Sequence, residues 1–188
     1  MLNYITERQG WIEVICGSMY SGKTDELIRR LKRAIIAKQK TITFKPKIDD
    51  RYHKEYIVSH DKNSFEARVV ENPEEILHLA KDADVVGIDE AQFMGEHLID
   101  VVNKLAYAGK RVILAGLDMD FRGKPFHPMP ELMAIAEHVE KVHAICVVCN
   151  NPANFSQRVI PEEDLIAVGS TGMYEARCRL HFKKSSEK

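Results

Sequence analysis

The sequence predicts an α/β fold, a parallel sheet with helices on its faces, followed by a small C-terminal unit. Two observations carry that expectation. Short apolar, β-branched runs alternate with segments whose apolar residues recur at helical spacing. Beyond about residue 143 the alternation gives way to cysteines, asparagines and small residues. Length agrees, because 188 residues at ~150 per domain make one ordinary core plus an appendage. The expected division is therefore 1–143 and 144–188.

Each element has a local reason. Segment 11–16, WIEVIC, reads as a strand, and the glycine-bearing segment 17–24 follows it at once. Leu27, Ile28, Leu31, Ala34 and Ile35 then form one face of a helix, with Arg29, Arg30, Lys32 and Arg33 assigned to a solvated opposite face. TITF at 41–44 is a second strand ended by Pro46, after which Asp49, Asp50 and Arg51 fall in a polar loop. A short helix is expected over 73–79 with Pro73 in its first turn. VVGI at 85–88 is a buried strand closing on Asp89-Glu90. Residues 95–106 are helical by the spacing of Leu98, Val101, Val102 and Leu105, with Gly109 past the end. RVILAG at 111–116 is another strand, leading into a loop that carries Gly123, Pro125, Pro128 and Pro130. The stretch 150–177 reads as a long loop with too little apolar content to hold itself, and 183–188 as a frayed tail.

Composition bounds the function. Hydrophobic residues at 45% and charged ones at 29% are globular values, so the chain can bury a core. Twenty-seven Lys+Arg against 28 Asp+Glu leave a net charge of -1. That balance argues against nucleic acid as a partner, because neutralising a phosphate backbone needs a basic excess. No apolar run approaches the ~18 residues of a membrane span. The start, MLNYITERQG, lacks the apolar stretch of a secretory signal. A cytoplasmic chain with reduced thiols is expected, in which four cysteines point to metal or chance rather than disulfides.

Gly17, Ser18, Met19, Tyr20, Ser21, Gly22, Lys23 and Thr24 match G-x-x-x-x-G-K-[ST] between a predicted strand and a predicted helix. Glycines let the backbone curl so that successive N–H groups face phosphate oxygens, and the helix N-terminus adds its positive end. Lys23 supplies a point charge to the β- and γ-phosphates, and the Thr24 hydroxyl a ligand for Mg²⁺. Asp89, at the end of an apolar strand, can hold Mg²⁺ through water. Glu90 can accept a proton from an attacking oxygen. Spacing alone leaves open whether that oxygen is water or a substrate hydroxyl.

Cys146-x2-Cys149 and Cys178-x2-His181 are two ligand pairs with 28 residues between them. Four soft or borderline ligands suit tetrahedral Zn²⁺ and leave no open position, so the metal is expected to be structural and to tie off the long loop. Cys16 is expected to be a buried core thiol. His53, His60, His78, His97, His127, His138 and His143 lack partner spacing and read as surface or packing residues.

Taken together, the chain resembles the cytosolic, zinc-containing thymidine kinases over about residues 10–183. GSMYSGKT and ELIRRL, the loop Asp49-Asp50-Arg51-Tyr52, DEAQF at 89–93, GLDMDFRGKPF at 116–126, the two ligand pairs and YEARCR at 174–179 carry the resemblance. It implies a P-loop NTPase-like sheet, with a zinc-binding unit whose lasso loop covers the nucleoside. It also implies transfer of the γ-phosphate of ATP to the 5′-hydroxyl of thymidine. Glu90 would be the base, Asp89 the Mg²⁺ holder, and Gln92 part of the same ATP and Mg²⁺ set. Asp49 and Arg51 would sit near the transferring phosphate. Met19, Leu117, Phe121 and Tyr174 would wall the thymine. Main-chain groups of Leu165, Ile166, Ala167, Val168 and Gly169 would bind its edge. A homotetramer and feedback inhibition by dTTP are implied as well.

Three positions depart from the family pattern. His181 stands where cysteine is frequent, and imidazole is an acceptable ligand. Asn150 replaces a common glycine and tolerates positive φ. Ser170 replaces a frequent second glycine in the lasso. Two rival readings make different demands. A P-loop ATPase, with Glu90 activating water, leaves FRGKPF and Tyr174 unexplained. A nucleic-acid-binding zinc module needs a basic cysteine region, yet Glu162, Glu163, Asp164 and Glu175 lie within it.

Overall fold

The structure, a computed structural model, describes residues 9–47, 56–58, 64–159 and 172–183. The expected strand 11–16 is β1 (Trp11–Cys16), and the helix after the glycine-bearing segment is α1 (Lys23–Ile36). β2 (Thr41–Pro46) is followed by a short hairpin of β3 (Tyr56–Val58) and β4 (Ser64–Glu66), then by β5 (Arg68–Val70). After α2 (Glu75–Leu79) come β6 (Val85–Ile88), a 3-10 turn (Ala91–Phe93), α3 (His97–Tyr107) and β7 (Arg111–Gly116). α4 (Met129–Ile135) and β8 (His138–Lys141) complete the main body. β9 (Ala144–Ile145), β10 (Pro152–Ala153), β11 (Phe155–Arg158) and β12 (Tyr174–Arg177) make two small antiparallel pairs.

Six strands form one sheet in the order β5-β2-β6-β7-β1-β8, and every pairing in it is parallel. Parallel neighbours need crossovers, so helices cover both faces. Alternation divides each strand between two cores. Val14 and Cys16 of β1, Val86 and Ile88 of β6, and Val112 and Leu114 of β7 pack with α3 and α4. Ile15, Val85, Ile113 and Ala115 face Leu27, Ile28, Leu31 and Ala34 of α1. Because all the strands run one way, the segments after β1, β6 and β7 emerge along one edge, where α/β sheets bind their ligands.

Four expectations are corrected. Arg30 does not lie on a solvated face, being 7% exposed. It is three residues after Leu27 and four before Ala34, which puts it on the buried stripe. There it meets Glu13 at 2.6 Å, Glu26 at 2.8 Å and Glu140, while Arg111 holds the other side of Glu13 at 2.6 Å. Ile35, expected in the apolar stripe, is 48% exposed. The proline-bearing loop after β7 contains α4, whose first turn accommodates Pro130 without losing a helical hydrogen bond. Finally, the described ends of the stretch 150–177 are not loop. They pair as β10, β11 and β12 around Ala144, Cys146, Ala153 and Ala176.

Candidate active site

The loop from Gly17 to α1 needs its glycines for two different reasons. A Cβ on Gly17 would lie 2.2 Å from the Val142 carbonyl oxygen, where β8 leaves the sheet beside β1. Gly22 caps α1 in the left-handed region at φ 84, which glycine adopts without strain. Lys23 opens the helix, and its Nζ folds back to donate to the Ser18 carbonyl at 2.8 Å. Burial lowers its pKa, opposed by the nearby carboxylates of Glu90, Asp89 and Asp118. This is the setting in which phosphate oxygens would find a desolvated cation. Below the loop, Cys16 is fully buried, and burial together with the Asp118 carboxylate raises its thiol to about 11. That is the inert core thiol expected from its place in β1.

Asp89 and Glu90 follow β6. The Thr24 hydroxyl donates to Asp89 Oδ2 at 3.1 Å, so the phosphate loop and the acidic strand end meet through a hydroxyl and a carboxylate. Two hard oxygen donors in contact fit Mg²⁺. Burial pushes the Asp89 carboxyl up to about 7, with the Glu90 charge adding to the shift. Glu90 itself sits at φ 51 and ψ 41, an uncommon backbone conformation for a non-glycine residue. Gln92, 3% exposed, fixes its side chain. The Leu117 N–H donates to Gln92 Oε1 at 3.0 Å, and this bond leaves Nε2 to donate to Glu90 Oε2 at 2.5 Å. A main-chain N–H can only donate, so the amide has one orientation. Gln92, expected in the ATP and Mg²⁺ set, therefore lies between Glu90 and the segment after β7.

That segment meets the C-terminal strands. Arg158 stands over the Phe121 ring at 3.7 Å from its centroid and donates to the Tyr174 hydroxyl at 2.6 Å from Nη2 and 3.1 Å from Nε. The phosphate loop is tied to the same strands. The Met19 N–H donates to Ser156 Oγ at 2.9 Å, Ser18 Oγ to the Ala153 carbonyl at 3.2 Å, and the Tyr20 hydroxyl to the Tyr174 carbonyl at 3.3 Å. Ser156 and Arg158 were not legible as site residues, because FSQR carries no motif and only pairing with β12 reveals its buried face. Asp49, Arg51, Leu165, Ile166, Ala167, Val168 and Gly169 lie outside the described residues.

Cys146, Cys149, Cys178 and His181 converge, each offering one ligand atom, with all four atoms within 4.8 Å of one another. Zn–S of about 2.3 Å and Zn–N of about 2.0 Å at tetrahedral angles require S···S near 3.8 Å and S···N near 3.5 Å. Cys149 and Cys178 sulfurs are 3.7 Å apart, and His181 Nδ1 lies 3.9 Å from Cys146 Sγ and 3.2 Å from Cys178 Sγ. Donor set and spacing both fit zinc. Burial raises the Cys146 thiol, but N–H groups of Cys178, Val148 and Cys149 outweigh it and hold the group at about 6, near the thiolate form a metal requires. Asn150, between the ligand pairs, takes φ 59, the conformation for which asparagine can replace glycine. Among the described residues no helix is long and apolar enough to cross a membrane.

Comparison with known proteins agrees with this geometry. The family described as thymidine kinase matches residues 10–182. The thymidine kinase of Rhodothermus sp. (strain ITI 518) is 57% identical over 174 residues, 93% of this chain and 82% of that protein. Among solved structures, domain III of the Thermotoga maritima replication initiation protein DnaA aligns at TM-score 0.43 and 14% identity, over 70% of this chain and 54% of that one. A DNA replication initiation factor aligns at TM-score 0.41 and 16% identity, over 70% of this chain and 40% of that one. At those scores neither likeness bears on function. The family match and the identity to the Rhodothermus protein do, and by them this chain belongs to the thymidine kinase family.

Proposed function

We propose that the chain transfers the γ-phosphate of ATP to the 5′-hydroxyl of thymidine, giving dTMP and ADP for nucleoside salvage in the cytoplasm. The observation that carries this reading is the contact between Thr24 of the phosphate loop and Asp89, at 3.1 Å, with Glu90 the next residue. A carboxylate next in the chain to that contact supports a proton acceptor close to a metal-bound triphosphate.

In this reading residues 1–143 bind and activate the nucleotide, and residues 144–188 cover the nucleoside. Main-chain N–H groups of the phosphate loop and the Lys23 ammonium hold the β- and γ-phosphates. Thr24 and Asp89 would hold Mg²⁺, which when bound offsets charge on the bridging oxygens. Glu90, oriented by Gln92, takes the proton from the 5′-hydroxyl as that oxygen attacks phosphorus in line and the β–γ bridging oxygen leaves with ADP. Asp49 and Arg51 steady the transferring group. Met19, Leu117, Phe121 and Tyr174 enclose the thymine, and main-chain groups of 165–169 bind its edge. A dry, shaped pocket with few polar groups suits so small a base, and a loop over it keeps water from the γ-phosphate. Cys146, Cys149, Cys178 and His181 would hold a structural zinc. Assembly as a homotetramer and inhibition by dTTP across both substrate sites complete the reading.

Incubation with ATP, Mg²⁺ and labelled nucleosides tests it. Labelled dTMP, formed in step with ADP, is expected. ATP consumption that proceeds equally well with no nucleoside present, and no esterified product, would refute it.

A further inference from the structure

Arg158 is buried, 8% exposed, at the end of β11, and the reaction as described does not use it. Its guanidinium does two things at once. It lies flat enough against Phe121 to bring its central carbon to 3.7 Å from the ring centroid, and its Nη2 and Nε both donate to the Tyr174 hydroxyl, at 2.6 and 3.1 Å. The strand register makes Arg158 and Tyr174 direct partners across β11 and β12, whereas Phe121 comes from the segment after β7. One planar cation therefore joins two aromatic side chains that the chain brings from different layers. Only arginine offers this combination of a two-donor edge and a stacking face. The Phe121 ring carries the Arg158 guanidinium at 3.7 Å and that of its neighbour Arg122 at 5.5 Å, so Arg158 is the nearer of the two cations that fix the ring.

We infer that Arg158 is a positioning residue for the proposed nucleobase pocket: its guanidinium, held by the Tyr174 hydroxyl and laid on Phe121, fixes the orientation of those two rings for a planar pyrimidine. The inference rests on the thymidine reading above. Ser156 lies on the same face of β11, two residues earlier, and supports Met19 of the phosphate loop at 2.9 Å. General damage to β11 would therefore weaken ATP and thymidine alike, while loss of the Arg158 contacts alone weakens thymidine.

The test uses the full chain with its metal bound and compares Arg158→Leu, Arg158→Lys, Tyr174→Phe and the Arg158→Leu/Tyr174→Phe pair. KM for thymidine, KM for ATP, kcat and metal content are measured for each. Arg158→Leu is expected to raise thymidine KM about tenfold or more while ATP KM stays within about twofold. Arg158→Lys, which keeps the charge and loses the fork, falls between. The double variant should be less impaired than the product of the two single effects, because the guanidinium and the phenol share one contact. Thymidine KM within about twofold of the unsubstituted value in both Arg158 variants would overturn the inference. So would a parallel rise of both KM values with loss of metal, which marks a purely structural role. Should Arg158→Leu fail to fold, Arg158→Lys and Tyr174→Phe give the same discrimination. Absence of dTMP from the unsubstituted protein would remove the thymidine reading and this inference together, whereas normal dTMP synthesis with unchanged variants would remove the inference alone.

Discussion

Stripping the proposed metal from the cysteine module should weaken nucleotide binding, because the phosphate loop packs and bonds onto the strands beside the ligands. The link is structural. Tyr20 packs against the small core formed by Ala144, Cys146, Ala153 and Ala176. Ser18 and Met19 bond to Ala153 and Ser156 at 3.2 and 2.9 Å, on β10 and β11, whose pairing partners β9 and β12 lead into the ligands Cys146 and Cys178. A core of three alanines and a cysteine buries too little apolar surface to order those strands by itself, so ordering falls to the metal. If the Ser18 and Met19 bonds, two of the loop's three to these strands, are lost at about 1 kcal/mol net each, the loop loses about 2 kcal/mol of preorganisation. That corresponds to about a thirtyfold rise in the dissociation constant for ATP. Cys178→Ala, or chelation followed by dialysis, supplies the perturbed protein, and calorimetric titration with MgATP reads the constant alongside metal content. Linkage requires the reverse effect too, so bound nucleotide should tighten the metal's equilibrium binding in competition with a chelator by the same factor. Metal-free protein that keeps its main sheet by circular dichroism and binds MgATP within about twofold of the loaded protein would refute the reasoning.

Three other outcomes follow from the same geometry. Glu90→Gln should lower kcat by about 10²–10⁴ with MgATP affinity retained, since only the proton acceptor is lost; steady-state kinetics with labelled thymidine check it. Glu13→Gln should cost about 3 kcal/mol in urea unfolding, at the low end for a broken buried pair because Glu26 still neutralises Arg30 at 2.8 Å. Glu26 is held down to about 2 by its bonds to Arg29 and Arg30, against an ordinary value of 4.5. A depressed carboxylate stabilises the fold above the ordinary value and loses that contribution as pH falls toward the depressed one. Urea midpoints should therefore fall between pH 4.5 and 2 in the natural sequence, and Glu26→Gln should flatten that decline.

How much of this was legible in the sequence depends on how far apart the cooperating residues are. The phosphate loop was legible because its chemistry needs successive main-chain N–H groups, so its residues must be contiguous between a strand and a helix. The metal cluster was legible because each pair of ligands sits on one tight turn, and Asn150 at φ 59 shows the turn forming as expected. β8 was not, since an edge strand needs no apolar run, and HVEK is mostly exposed. Arg30 stood on the buried stripe by spacing alone, yet nothing local reveals that Glu13, seventeen residues earlier, neutralises it at 2.6 Å. The proposed nucleobase pocket is the extreme case. Phe121 and Tyr174 were available from family resemblance, but the residue that contacts both is Arg158, from a segment with no motif and read as loop. Contiguous chemistry leaves a pattern in the sequence, whereas a site assembled by strand pairing becomes visible only when the topology brings its parts together.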